Sequence, residues 1–227
     1  MVSWFNMSVN LNTTTNNTNT INTPYTGPAT QIMTVMAWIY FTSLTGATST
    51  SWRDIVTVDP NIYLQLMNDG VSIDYGTANH DHTGDVLSTH TWYHVAQVVV
   101  PTSTTSRQIY GYLNGSLNVN VTDNDTSLTC TAVCVGNSVF SGYIYPFNGN
   151  IKDVRVWTRQ LSATDIVNEM NSSVVIHKPG LLLHYPFDDT NVLDKSGNNH
   201  ILTIGSALTH QSGIMKSYPK KRISFPR

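Results

Sequence analysis

The stretch from Phe147 to Met170, FNGNIKDVRVWTRQLSATDIVNEM, constrains the fold most. After the turn residue Gly149, Ile151, Val154, Val156 and Trp157 are residue types that suit a pleated, mostly buried strand. Strict alternation fails, because Ile151 and Trp157 have the opposite parity to Val154 and Val156. The spacing therefore predicts a strand covered on both faces, or one carrying a bulge. Ser162-Ala-Thr-Asp165 then reads as a capping-box variant, the Ser162 hydroxyl accepting from the backbone N–H of Asp165. Ile166 and Met170 follow four apart, so a short helix can lay one face on the strand before it.

This segment resembles the closing strand and helix of the laminin-G-like and pentraxin-like domains of the concanavalin A-like lectin/glucanase superfamily, whose usual form is F-x-G-x-I-D-D-V-R-I-(Y/W)-x-R-x-L-S-x-x-E-I. The match runs through Phe147, Gly149, Ile151, Asp153, Val154, Arg155, Trp157, Arg159, Leu161, Ser162 and Ile166, and departs at Lys152 and Asp165. Trp92-Tyr-His-Val-Ala with Tyr110-Gly-Tyr-Leu-Asn-Gly115 is similar to the family's W-x-H-V-A…L-Y-V-N-G hairpin. Leu183-His-Tyr-Pro-Phe-Asp188 with Asp194-Lys-Ser-Gly-Asn-Asn199 is similar to its Y-x-F-D…D-x-S-G-N-G element. The resemblance implies an all-β, two-sheet antiparallel jelly-roll sandwich (concanavalin A-like) with one short helix. Residues 1–210 form the sandwich in this reading, and residues 211–227 a basic extension.

Composition narrows the partners. At 227 residues one large β-sandwich is favoured over two domains. Charged residues make up only 11%, against roughly 25% in ordinary soluble domains, and Asn, Ser and Thr supply the polarity instead. Lys216, Lys220, Lys221, Arg222 and Arg227 fall in the last twelve residues, which contain no acid. Without them seven bases face fourteen acids, so the body carries −7 and the tail +5. An acidic body argues against nucleic acid as the main ligand. No apolar run approaches about 18 residues, so no membrane span is expected. The N-terminus lacks the basic and apolar regions of a signal peptide. Cys130 and Cys134 would lie roughly 13 Å apart along a strand, too far to bridge, whereas a turn between them would allow a disulfide. A bridge and two buried thiols both remain open.

In chain order, Trp4 to Leu11 reads as a first strand, and Asn12 to Thr23 as a low-complexity loop. Met33 to Thr42 is a central strand containing Trp38. Short strands follow to Tyr75, then a polar loop from Thr77 to Ser88. Asn114-Gly115 signals a type I′ turn that pairs Leu113 with Ser116 and Tyr112 with Leu117. That register puts Tyr110, Tyr112, Leu117, Val119 and Val121 on one face. Trp38, Trp92 and Trp157 lie within strands and read as core.

Catalysis is not expected, and no catalytic residue is assigned. A glycosidase needs two carboxylates flanking the scissile bond, yet Glu169 is the sole glutamate and the family's E-x-D-x-x-E pattern is missing. Trp52, Tyr75, Asn79, His80 and His82 lie in or beside loops and are the candidate glycan ligands, the rings for stacking and the polar groups for hydroxyls. His80 and His82 also form a two-imidazole metal candidate, with a solvated loop as the simpler reading. Relatives often bind calcium at a sandwich rim; here Asp123 with Asp125, and Asp188 with Asp194, are the candidate ligands, and Asx turns the alternative. Two functions follow. The first is a non-catalytic, lectin-like module that binds glycan or a protein surface through rim loops. The second is a structural subunit of a virion or cell-surface layer, held to its assembly neighbours by the basic tail. Either is expected outside the cell or on an assembled surface.

Overall fold

The computed structural model describes residues 7–10, 21–24, 32–42, 52–59, 62–67, 71–77, 81–124, 132–137, 145–172, 178–187, 193–201, 203–204 and 209–212. Two antiparallel sheets face each other. The first contains β1 (Met7–Asn10), β3 (Met33–Tyr40), β8 (Trp92–Pro101), β9 (Arg107–Leu113), β10 (Ser116–Asp123), β12 (Asn150–Trp157), β13 (Leu181–Tyr185) and β15 (Thr209–Ser212), in the order β10-β9-β8-β3-β12-β1-β15 with β13 also paired to β12. The second contains β2 (Ile21–Pro24), β4 (Arg53–Asp59), β5 (Ile62–Leu66), β6 (Ser72–Thr77), β7 (Thr83–Val86), β11 (Ala132–Val135) and β14 (Thr203–Ile204), in the order β14-β2-β11-β4-β5-β6-β7. The two-sheet antiparallel sandwich expected from the sequence is the architecture found.

Period-2 patterning builds the core. Val35, Ala37 and Ile39 of β3 and Val95 and Val99 of β8 point inward against Val56, Val58, Leu64, Ile73 and Val133 of the other sheet. On β12 the alternation breaks for both reasons the sequence allows. Asp153 adopts a left-handed φ of 52°, and the register against β3 shifts between Lys152 and Arg155. Ile151, Val154 and Val156 consequently face the core, while Arg155 and Trp157 face outward. The outer side is covered there by α1 (Ala163–Met170), and Trp157, Met36, Ala96, Val98, Tyr112, Leu161, Ile166 and Leu181 form a second apolar cluster. The helix starts on the expected capping box: Asp165 N–H donates to Ser162 Oγ at 3.1 Å, and Ser162 N–H to Asp165 Oδ2 at 3.0 Å.

The Asn114-Gly115 turn has φ values of 50° and 79°, and Leu113 pairs with Ser116 as the turn type demands. The facing expected beyond it is corrected by a bulge between Leu117 and Val119, which pairs Val119 with Gly111. Val119 and Val121 thereby turn to the core and Tyr110 and Tyr112 to the helix side, while Leu117 is exposed. The bulge frees Asn118 Oδ1 to accept from Asp85 N–H at 3.0 Å, which ties the edges of the two sheets together. Two stretches read as loops contain strands. Ile21–Pro24 pairs with β11 and β14, and Thr83–Val86 pairs with β6, because neighbouring strands complete ladders that local composition does not announce.

Candidate functional site

The outer face of the first sheet is divided in two. One half lies beneath α1, and an ionic lock marks the boundary. Arg155 donates from Nε to Asp153 Oδ1 and from Nη2 to Oδ2, both at 2.9 Å, and from Nη1 to Glu169 Oε2 at 2.7 Å. Lys178 Nζ donates to Glu169 Oε1 at 2.6 Å, and His184 Nε2 lies 2.8 Å from Asp153 Oδ1. Burial pushes the Asp153 carboxyl up, but the His184 contact and the Arg155 guanidinium together hold it below the usual carboxylate range. The resemblance residues Asp153 and Arg155 therefore fasten the helix to β12.

The other half of this face is an aromatic platform. Trp38 and Tyr40 alternate with the buried Ala37 and Ile39 along β3, so their rings stand on the outer side, and both are half-buried. Antiparallel register sets Trp38 opposite His94 and Tyr40 opposite Trp92. The Tyr40 and Trp92 rings lie 5.4 Å apart with a tilt of 35°, and His94 meets Trp38 edge-on at 5.4 Å. From β12, Lys152 extends its ammonium to 4.5 Å from the Trp92 centroid and 5.7 Å from that of Trp38. Cation–π attraction suits this placement. Burial pulls the Lys152 pKa down to about 8 and that of His94 down to about 3, so the imidazole is neutral near pH 7 and the lysine still largely charged. Clustered aromatic rings beside a cation form a surface on which a sugar ring can stack and be oriented.

Trp38 and Trp92 were expected in the core, and the structure corrects this. Strand hydrophobicity alone does not say which face is covered; the parity of both with His94, against Ile39 and Val95, is the signal that could have found them. Lys152, where the family pattern has an acid, belongs to the same site.

The residues singled out from the sequence fall elsewhere. Trp52 is half-buried at the head of β4, edge-on to Tyr145 at 5.7 Å. Tyr75, expected at a strand end beside a loop, lies inside the strand. It sits in β6 with 0% exposure, its ring filling the space above Gly111, so it is unavailable for stacking on a ligand. His82 is half-buried, its backbone N–H donating to Asp74 and its Nε2 4.0 Å from Asp123 Oδ2. Asn79 and His80 lie outside the described residues, as do Asp125, Asp188, Cys130 and the tail residues Lys216, Lys220, Lys221, Arg222 and Arg227. Cys134 is buried in β11.

The described calcium candidates do not fit a cation. Asp123 is turned into the sandwich, where its Oδ2 accepts from Thr77 Oγ1 at 2.5 Å and from Arg107 Nε at 3.1 Å. Asp194 accepts from the backbone N–H groups of His184, Ser196 and His200 and from the Ser196 hydroxyl. These four bonds occupy the roughly four acceptor positions of a carboxylate. The D-x-S-G-N element is thus an Asx-type clip that holds the segment after β13 against that strand. Among the described residues no group of three or more His, Cys, Asp or Glu could hold a metal, and no helix is long and apolar enough to cross a membrane.

Residues 13–167 match the model of a family described as the concanavalin A-like lectin/glucanases superfamily. No curated protein sequence matches the chain. Among solved structures, a candidate carbohydrate-binding protein of Bacteroides ovatus superposes with a TM-score of 0.71 at 17% identity over 92% of this chain. The chain spans 60% of that protein's length. The heptameric SAP-like pentraxin of Limulus polyphemus superposes with a TM-score of 0.62 at 16% identity, over 96% of this chain and 100% of the pentraxin. At these identities the likeness is one of fold.

Proposed function

Because the chain belongs to the concanavalin A-like lectin/glucanases superfamily, we propose that it is a non-catalytic recognition module that binds glycan. The outer face of the first sheet is the binding surface in this reading, rather than the rim loops. One observation carries it: Trp38, Tyr40 and Trp92 are side by side, half-buried, on regular strands outside the core. Rigid strands hold aromatic rings in place without the ordering cost that a loop would add. The fold of a candidate carbohydrate-binding protein supports the ligand class by analogy.

The ionic lock does not offer a catalytic acid pair. Its two carboxylates, Asp153 and Glu169, are bridged by the Arg155 guanidinium instead of facing each other across a groove. A glycosidase needs one carboxyl held protonated, whereas His184 and Arg155 hold the Asp153 carboxyl below the usual carboxylate range.

The test is an array of plant, bacterial and animal oligosaccharides probed with the intact protein and with Trp92→Ala. The expected result is binding to at least one class, weakened about 30-fold in the variant, as when an aromatic anchor worth ~2 kcal/mol is removed. An array left blank by the intact protein, or binding untouched by Trp92→Ala, rejects this site.

A further inference from the structure

We infer that Asn120 is an N-glycosylation site and that its glycan shields the open edge of the first sheet. The inference is independent of the platform and takes the chain to work outside the cell, where both functions drawn from the sequence would put it. Among the described residues β10 is the outermost strand of its sheet, so one side of its backbone has no strand beside it. Natural edges of this kind are blunted by charges, by proline or by bulges. The bulge at Asn118, clipped to Asp85 N–H, blunts the first half. The second half, Val119-Asn-Val-Thr122, is rich in β-branched residues and has neither a charge nor a proline. It is a template on which another chain can pair. Exposed Leu117 and half-buried Val121 add apolar surface to the same edge.

This unguarded half contains a glycan acceptor. Asn120-Val-Thr122 has the Asn-x-Ser/Thr pattern, and Asn120 and Thr122 are both exposed. Asn114, Asn124 and Asn171 are further exposed acceptors among the described residues. Asn171 commits its Nδ2 to Val167 O at 2.7 Å, Asn114 lies in the hairpin turn, and Asn124 lies past the end of β10. Asn120 bonds Gln108 through Oδ1, and its Nδ2 has no partner among the described residues. Transfer from a lipid-diphosphate oligosaccharide breaks the bond between the anomeric carbon and the diphosphate oxygen. It forms a bond from that carbon to Nδ2, releases one Nδ2 proton, and the lipid diphosphate leaves with the electron pair. Oδ1 is untouched, so the Gln108 bond survives. An added strand would lie about 4.8 Å from β10, inside the volume that a bulky glycan rooted on Asn120 sweeps. Asn120 pairs with Tyr110, and Tyr110 with Val98, four residues along β8 from His94, so the glycan is rooted away from the aromatic platform.

The experiment secretes the full chain from a eukaryotic cell behind a cleavable leader and maps its peptides by mass spectrometry before and after enzymatic deglycosylation. Asn120 should carry a glycan in the parent and in Thr122→Ser, and none in Thr122→Ala. Light scattering should show a monomeric parent whose mean mass at least doubles once the glycan is removed from the folded protein. Thr122→Ala, with glycans at any other acceptor intact, should associate likewise. Thr122→Lys loses the acceptor pattern but puts a charge on the edge, so it should stay monomeric without a glycan there. A bare Asn120 in the secreted parent would overturn the inference. So would a deglycosylated parent or a Thr122→Ala chain that stays monomeric, or a Thr122→Lys chain that associates as strongly as Thr122→Ala. Deglycosylating the folded parent keeps the test decisive even where a variant fails to fold.

Discussion

At the scale of single residues, Asp74 shows how the sandwich handles a buried acid. Its carboxylate accepts from Gln65 Nε2 at 2.8 Å and from His82 N–H at 2.7 Å, yet its side is closed off from water. Burial pushes its pKa up to about 7, aided by the charge of Asp81 and opposed by those two donors. The folded state thus holds this proton more tightly than the unfolded chain does. Its contribution is fully present below about pH 4 and is lost as pH rises toward 7, since stability falls wherever the native state binds more protons. Asp74→Asn should flatten that part of the profile, leaving the variant more stable than the parent at pH 8 and no more stable at pH 4. Urea unfolding at the two pH values measures it, with an expected difference of a few kcal/mol. A parallel offset at both pH values would contradict the assignment.

Elements show where glycine is required. Gly115 stands at φ 79° in the hairpin turn, and an added Cβ would lie 2.8 Å from Val167 Cγ2 of α1, the mobile end of a side chain. Gly111 is different: an added Cβ would lie 2.6 Å from Tyr75 Cγ, the root of a ring packed between the sheets. Gly115→Ala should cost about 1 kcal/mol through its backbone, and Gly111→Ala about 2–3 kcal/mol through overpacking. Thermal unfolding should rank them in that order. The turn at Asn114-Gly115 and the capping box at Ser162 were legible in the sequence because each is decided by residues within four positions. The bulge at Asn118 was not, because its partner Asp85 comes from the other sheet. Tyr75 was read as the last residue of a strand, but its burial was missed for a related reason. The polar loop beginning at Thr77 suggested an exposed strand end, while the space made for the ring is above Gly111 of β9. Trp38 and Trp92 were recognised as strand residues, but only the neighbouring strands decide that one half of their sheet lies under the helix and the other half carries these rings.

For the whole molecule, the packing of the two sheets and the docking of α1 rest on separate apolar clusters joined through β12. The described acids at the rim are engaged by protein donors, so the fold is expected to stand without a divalent ion. Heating the protein with and without a chelator should give the same Tm, and a drop of several degrees on chelation would show that a cation braces it. Such independence would separate this chain from those relatives that bind calcium at the rim.

One backbone torsion connects these matters. In a regular pleat, residues three apart point to opposite sides; the left-handed Asp153 lets Lys152 and Arg155 share one. The cation beside the aromatic rings and the group that clamps the helix are therefore phased by a single amino acid. Removing that amino acid would be no local scar. It would turn either Lys152 away from the rings of Trp38 and Trp92 or Arg155 away from Glu169, so one torsion sets both placements.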